Sequence, residues 1–136
     1  MRVRVKMTKR MAVVATAAAA LATAGLATAP TASAYDYNGC GWPRVCFYLT
    51  DSDWNNGKPT AAYQDVTSSF QDLGSKSRGA NYVRNTRNDD RALVRYNDQY
   101  GVTYYACLPP NTTFHPRDTS TVTGIRIDTQ STCPSS

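Results

Sequence analysis

The sequence predicts an all-β domain of short strands, stapled by two disulfides, behind a cleavable leader. Three observations carry that prediction. Residues 35–136 are rich in Tyr, Thr, Val and Asn and punctuated by Gly and Pro, the composition of strands joined by turns. No ten-residue window there holds a convincing apolar stripe at the 3.6-residue helical period. Cys40, Cys46, Cys107 and Cys133 all fall in that stretch, and an even count in an exported chain reads as two bridges.

Export follows from the first residues. Arg2, Arg4, Lys6, Lys9 and Arg10 precede an apolar run from Met11 to about Leu26, and Ala32-Ser33-Ala34 is a small-x-small tripeptide of the kind signal peptidase cuts. Residues 1–34 are therefore expected to be a signal peptide, with the secreted, extracellular domain at 35–136. The apolar run is interrupted by Thr and Gly and falls short of the roughly 20 apolar residues of a spanning helix, so no membrane partner is expected.

Removal of the leader changes the electrostatics. Five of the fifteen Lys and Arg residues leave with it, while all ten acids stay, so residues 35–136 carry about zero net charge. A nucleic-acid binder keeps a basic excess on its folded part, and nucleic acid is not an expected partner. The chain has no CxxC and a single histidine, His115, so no metal or cofactor is expected either. Four cysteines allow three pairings. Cys40 with Cys46 and Cys107 with Cys133 is favoured, because the first pair lies six positions apart and the second ties the C-terminal tail to the body. Each bridge contributes about 2–4 kcal/mol, a large share of the roughly 5–15 kcal/mol that holds a domain folded.

Candidate strands run from Val45 to Leu49, Thr60 to Tyr63, Tyr82 to Arg84, Ala92 to Tyr96, Thr103 to Cys107 and Gly124 to Ile127. Turn signals separate them at Asn55-Asn56-Gly57, Leu73-Gly74-Ser75, Arg87-Asn88-Asp89 and Leu108-Pro109-Pro110-Asn111. A single helical turn is expected within Val66–Leu73, capped by Ser68 or Ser69. The chain also matches itself. Val45–Leu49 lies over Leu93–Asn97, each followed by a turn and a glycine, Gly57 or Gly101, and Ser77–Arg84 resembles Ser120–Ile127. Two copies of a unit of about 45 residues, each a four-strand Greek key, are expected to pack as a sandwich.

The stretch from Cys46-Phe47-Tyr48 to Trp54-Asn55-Asn56-Gly57, and again Arg95-Tyr96-Asn97-Asp98-Gln99-Tyr100-Gly101, resembles the folded hairpin of βγ-crystallin motifs. With the export signal, the two bridges and Asn88-Asp89-Asp90-Arg91-Ala92, the domain resembles the secreted inhibitors of the Streptomyces metalloproteinase-inhibitor type. That resemblance implies a monomeric βγ-crystallin-like domain whose partner is an extracellular, thermolysin-like metalloprotease. The first hairpin is two residues longer than in most crystallin motifs. Asn88-Asp89 also lacks the following Ser or Thr of calcium-binding modules, so calcium is not expected.

Catalysis needs a nucleophile with a base, paired carboxylates or a metal. The chain has no glutamate, and His115, Asp118 and Ser120 form its only nearby trio, in a Thr- and Pro-rich loop. A role as an enzyme is not expected, and a small secreted hydrolase stays as a third reading only if His115 faces a pocket with Asp residues; His115 otherwise reads as an exposed loop residue, and Asp89 and Asp90 as turn residues. An inhibitor instead needs an exposed segment held rigid. Tyr104–Pro110 is the candidate, where a disulfide and two prolines brace Leu108. Thermolysin-like enzymes cut before a bulky apolar side chain, so the resemblance implies Cys107–Leu108 as the bond presented. The same residues also fit a core position for Leu108. The alternative function is a crystallin-like binding or toxin-like module without inhibitory activity, favoured if Leu108 is buried and aromatics cluster on an exposed face. Tyr37, Trp42 and Trp54 fit either a stacking surface or the core.

Overall fold

The computed structural model describes residues 36–135. The expected leader and the start at Tyr35 lie outside the described residues. The described residues belong to one compact unit with its own core and both disulfides.

Alternating apolar residues build two antiparallel four-strand sheets. The first holds β1 (Val45–Tyr48), β2 (Ala61–Tyr63), β4 (Tyr82–Asn85) and β7 (Thr113–Phe114), in the order β2-β1-β4-β7. The second holds β3 (Gln71–Asp72), β5 (Ala92–Asn97), β6 (Thr103–Leu108) and β8 (Thr121–Ile127), in the order β3-β8-β5-β6. Each half of the chain thus gives three strands to one sheet and its third strand to the other. The self-matching segments fall on equivalent strands: β1 with β5, each between two neighbours, and β4 with β8.

All six expected strands form, their ends moved by one to three residues. The helical turn expected within Val66–Leu73 does not form. Val66 makes a parallel bridge to Ile127, and Gln71–Asp72 pairs with Gly124–Ile125 instead. The helix α1 is at Asp51–Asn55, where Thr50 and Asp53 make a reciprocal capping box, each side chain satisfying the other's amide.

Side chains alternate across each strand, and one face of each sheet enters a shared core. Val45, Phe47 and Val83 come from the first sheet; Ala92, Val94, Leu108, Val122, Ile125 and Ile127 come from the second. On the outer face of the first sheet, Cys40, Cys46 and Tyr48 form a smaller buried cluster with Trp54 and Tyr82 against it. The bridges join Cys40 to Cys46 and Cys107 to Cys133. Among the described residues, no helix is long and apolar enough to cross a membrane.

One inward position is polar. Asn85 ends β4 fully buried, and its Nδ2 donates to the carbonyls of Asp90, Leu108 and Pro109 while its Oδ1 accepts from the Arg87 amide. Arg87 in turn pairs with Asp90 and donates to the carbonyls of Pro43 and Gln64. A buried polar group is tolerated only when its partners are supplied; here they tie the β4–β5 connection to the loop after β6.

Candidate functional site

The residues expected to meet a protease are not the exposed ones. Leu108 is 2 % exposed and sits in the core, opposite Ala92. Alternation decides this: Ala106 and Leu108 share the inward face of β6, and Cys107 points away toward Cys133. Leu108 therefore cannot enter a protease pocket without leaving the core, and the expected presentation of Cys107–Leu108 is corrected. The prolines end β6 rather than bracing an exposed loop.

What the same hairpin exposes lies at its other end. Tyr100 is 82 % exposed, and Val102, Tyr104 and Tyr105 are exposed with it. The tip between β5 and β6 is fixed from within. Asp98 Oδ1 accepts from the amides of both Tyr100 and Val102 at 2.9 Å, the Asp98 amide donates to the Val102 carbonyl, and Gly101 takes a φ of +81°. That left-handed conformation suits glycine.

Beside this tip runs a cleft of about 510 Å³, lined by Tyr96, Tyr100, Tyr104, Phe114, His115 and Arg117 among others. Tyr96 stacks on Tyr104 with centroids 5.6 Å apart, and Phe114 meets Tyr96 at 5.5 Å. Asp98 and Ser120 add polar groups to the lining. One wall is the β5–β6 hairpin and the other is the loop before β8, closed by the Ser120 amide donating to the Arg117 carbonyl.

His115 is exposed, as expected, and its ring packs on Tyr82 with centroids 4.3 Å apart. Among the described residues, no hydrogen bond joins it to Asp98, Asp118 or Ser120, and no three His, Cys or Asp side chains gather as a metal site. Partial burial raises the Tyr82 pKa, and the carboxylates of Asp51 and Asp118 push it further the same way. Trp54 stacks on Tyr82 at 4.6 Å and belongs to the body of the domain, while Tyr37 packs on Trp54 and stays exposed. Trp42 stays exposed, its Nε1 donating to Asn88. Asp90 is the turn residue that Arg87 holds; the Asp89 side chain faces solvent.

Asp98 was the signal available for this site: an Asp three residues before a glycine, between two apolar runs, marks an Asx-type turn. The cleft itself joins residues 96–104 to 114–120, which no local motif links. Comparison with models of protein families, with curated proteins and with solved structures finds no match.

Proposed function

We propose that the chain is a secreted, βγ-crystallin-like binding module that works without catalysis and takes a glycan on the aromatic cleft beside the β5–β6 tip. The observation that carries this reading is a division within one hairpin: Leu108 lies in the core, while Tyr100 and Tyr104 stand exposed at the cleft. Sugar rings present apolar C–H faces that pack on aromatic rings and hydroxyls that bond to polar neighbours; Arg117, Ser120 and Asp98 supply the latter. The crystallin-like, Greek-key description rests on the exchange of β3 and β7 between the sheets and on the matched halves. The basic, apolar, small-residue sequence before Tyr35 and the two bridges support secretion. The test is retention of the oxidised domain by insoluble bacterial cell-wall polysaccharide, compared with its Tyr104→Ala variant. Retention lost in the variant supports the reading, and no retention of the wild type contradicts it.

The second reading is inhibition of an extracellular metalloprotease, and one observation favours it. The Asp98–Val102 tip is exposed and internally braced, with the bulky apolar Val102 directly after Gly101. Such a segment loses little entropy on entering a cleft. Titrating a thermolysin-like protease with the domain checks it: stoichiometric loss of activity, abolished by Val102→Asp, supports inhibition at the tip.

A further inference from the structure

We propose that the domain associates with a second copy of itself through the open edge of β6, the two strands pairing antiparallel across a two-fold axis. Four strands lie at sheet edges. Three of them are short: β2 has three residues, and β3 and β7 have two each. The fourth, β6, has six, and it pairs with β5 over its whole length without a shift in register.

A strand edge presents unpaired N–H and C=O groups, and proteins guard long edges with charges, prolines, bulges or a covering segment. None of these guards β6. The sequence from Val102 to Phe114 holds no charged residue, and Pro109 falls only after the strand has ended. Among the described residues, no backbone hydrogen bond reaches Thr103–Leu108 from outside the sheets. The tail beyond β8 first passes Arg91, whose amide donates to the Gln130 carbonyl and whose side chain donates to the Thr132 carbonyl, and then meets β6 at Cys107, which Cys133 bridges on the outer face of the sheet.

The occupant follows from complementarity. A two-fold axis at Tyr105 sets each Tyr105 opposite its counterpart, Tyr104 opposite Ala106, and Thr103 opposite Cys107. Large residues then face small ones on the cleft side, and aromatic faces aromatic on the outer side, where Tyr105 is 63 % exposed. An uncharged edge meets itself without like-charge repulsion, and residues 35–136 carry about zero net charge, so nothing long-range opposes the approach. Such an isologous contact closes at two copies.

The experiment is sedimentation equilibrium of the oxidised domain, residues 35–136, from micromolar to millimolar, together with amide hydrogen exchange across Thr103–Cys107. The expected result is a concentration-dependent dimer in which these amides become protected as concentration rises. Tyr105→Lys, at an exposed position, should leave the far-UV spectrum unchanged and hold the domain monomeric, whereas Tyr100→Lys, outside the ladder, should leave the dimer intact. A monomer at every concentration overturns the proposal. So does a dimer whose β6 amides gain no protection or which survives Tyr105→Lys.

Discussion

The Arg95 guanidinium lies flat over Gly124. A Cβ on Gly124 would stand 2.9 Å from both Cζ and Nη2 of Arg95. The bare glycine lets the side chain reach across β8, where its Nε donates to Thr123 Oγ1 and its Nη2 to the Thr123 carbonyl, with an ion pair to Asp72. Phe70 lies 5.6 Å away, beneath both Arg95 and Arg126. Arg95 is flexible enough to move, so Gly124→Ala displaces it at the cost of those bonds, about 1 kcal/mol net. In an Arg95→Ala background the same substitution should cost nothing. Denaturant midpoints of the four members of this double-mutant cycle check the coupling.

Leu108 is a core residue in this fold, and Leu108→Ala should lower stability by about 2–5 kcal/mol. Partner binding by the fraction that remains folded should be unchanged. Urea titration followed by a retention assay under native conditions separates the two effects; loss of binding without loss of stability would return Leu108 to the contact surface.

Asn85→Ala should cost about 2–4 kcal/mol, because it strips a donor from the buried carbonyls of Asp90 and Leu108 and an acceptor from the Arg87 amide. The exchange of the Arg87 amide should accelerate with it, which a cavity alone would not produce.

Tyr48 and Asp128 contribute to the pH dependence of stability at opposite ends. Burial pushes the Tyr48 hydroxyl up to about 12, while nearby Arg84 opposes that shift, and the hydroxyl donates to the Asn38 carbonyl at 2.7 Å. The unfolded chain ionises this tyrosine near 10.0, so stability holds below that value and falls as pH rises toward about 12. For Asp128, burial acts upward, but hydrogen bonds from Arg91 and the Gln130 amide and the charges of Arg91 and Arg126 outweigh it and lower its pKa. Its contribution is present above the ordinary value of 3.8 and is lost as pH falls through the lower folded value. Thermal midpoints across the pH range should show both limbs, with Tyr48→Phe flattening the alkaline one and Asp128→Asn the acid one.

The strands were legible because runs such as Val45–Tyr48 and Ala92–Asn97 are β-branched or aromatic at alternate positions. Strands β3 and β7 were not, since two residues carry no periodicity and pairing with distant strands creates them. The helix at Asp51–Asn55 is announced only by the Thr50 and Asp53 cap, a signal that its length hides. Periodicity puts Tyr104, Ala106 and Leu108 on one face of β6 but cannot say that the Leu108 end of that face meets the core while the Tyr104 end opens on a cleft, and this is why the exposed site was expected at Leu108 rather than at Tyr104. The cleft required the loop at Phe114–Ser120 to fold against the β5–β6 hairpin, a juxtaposition of the tertiary structure alone.

The most direct measurement is retention of the oxidised domain on insoluble cell-wall polysaccharide, wild type beside Tyr104→Ala and Leu108→Ala, with a thermolysin-like protease titrated in parallel. The account predicts that the wild type is retained, that Tyr104→Ala weakens retention about tenfold or more, and that folded Leu108→Ala binds as the wild type does. No retention, together with stoichiometric inhibition of the protease, would contradict it and establish the inhibitor reading in its place.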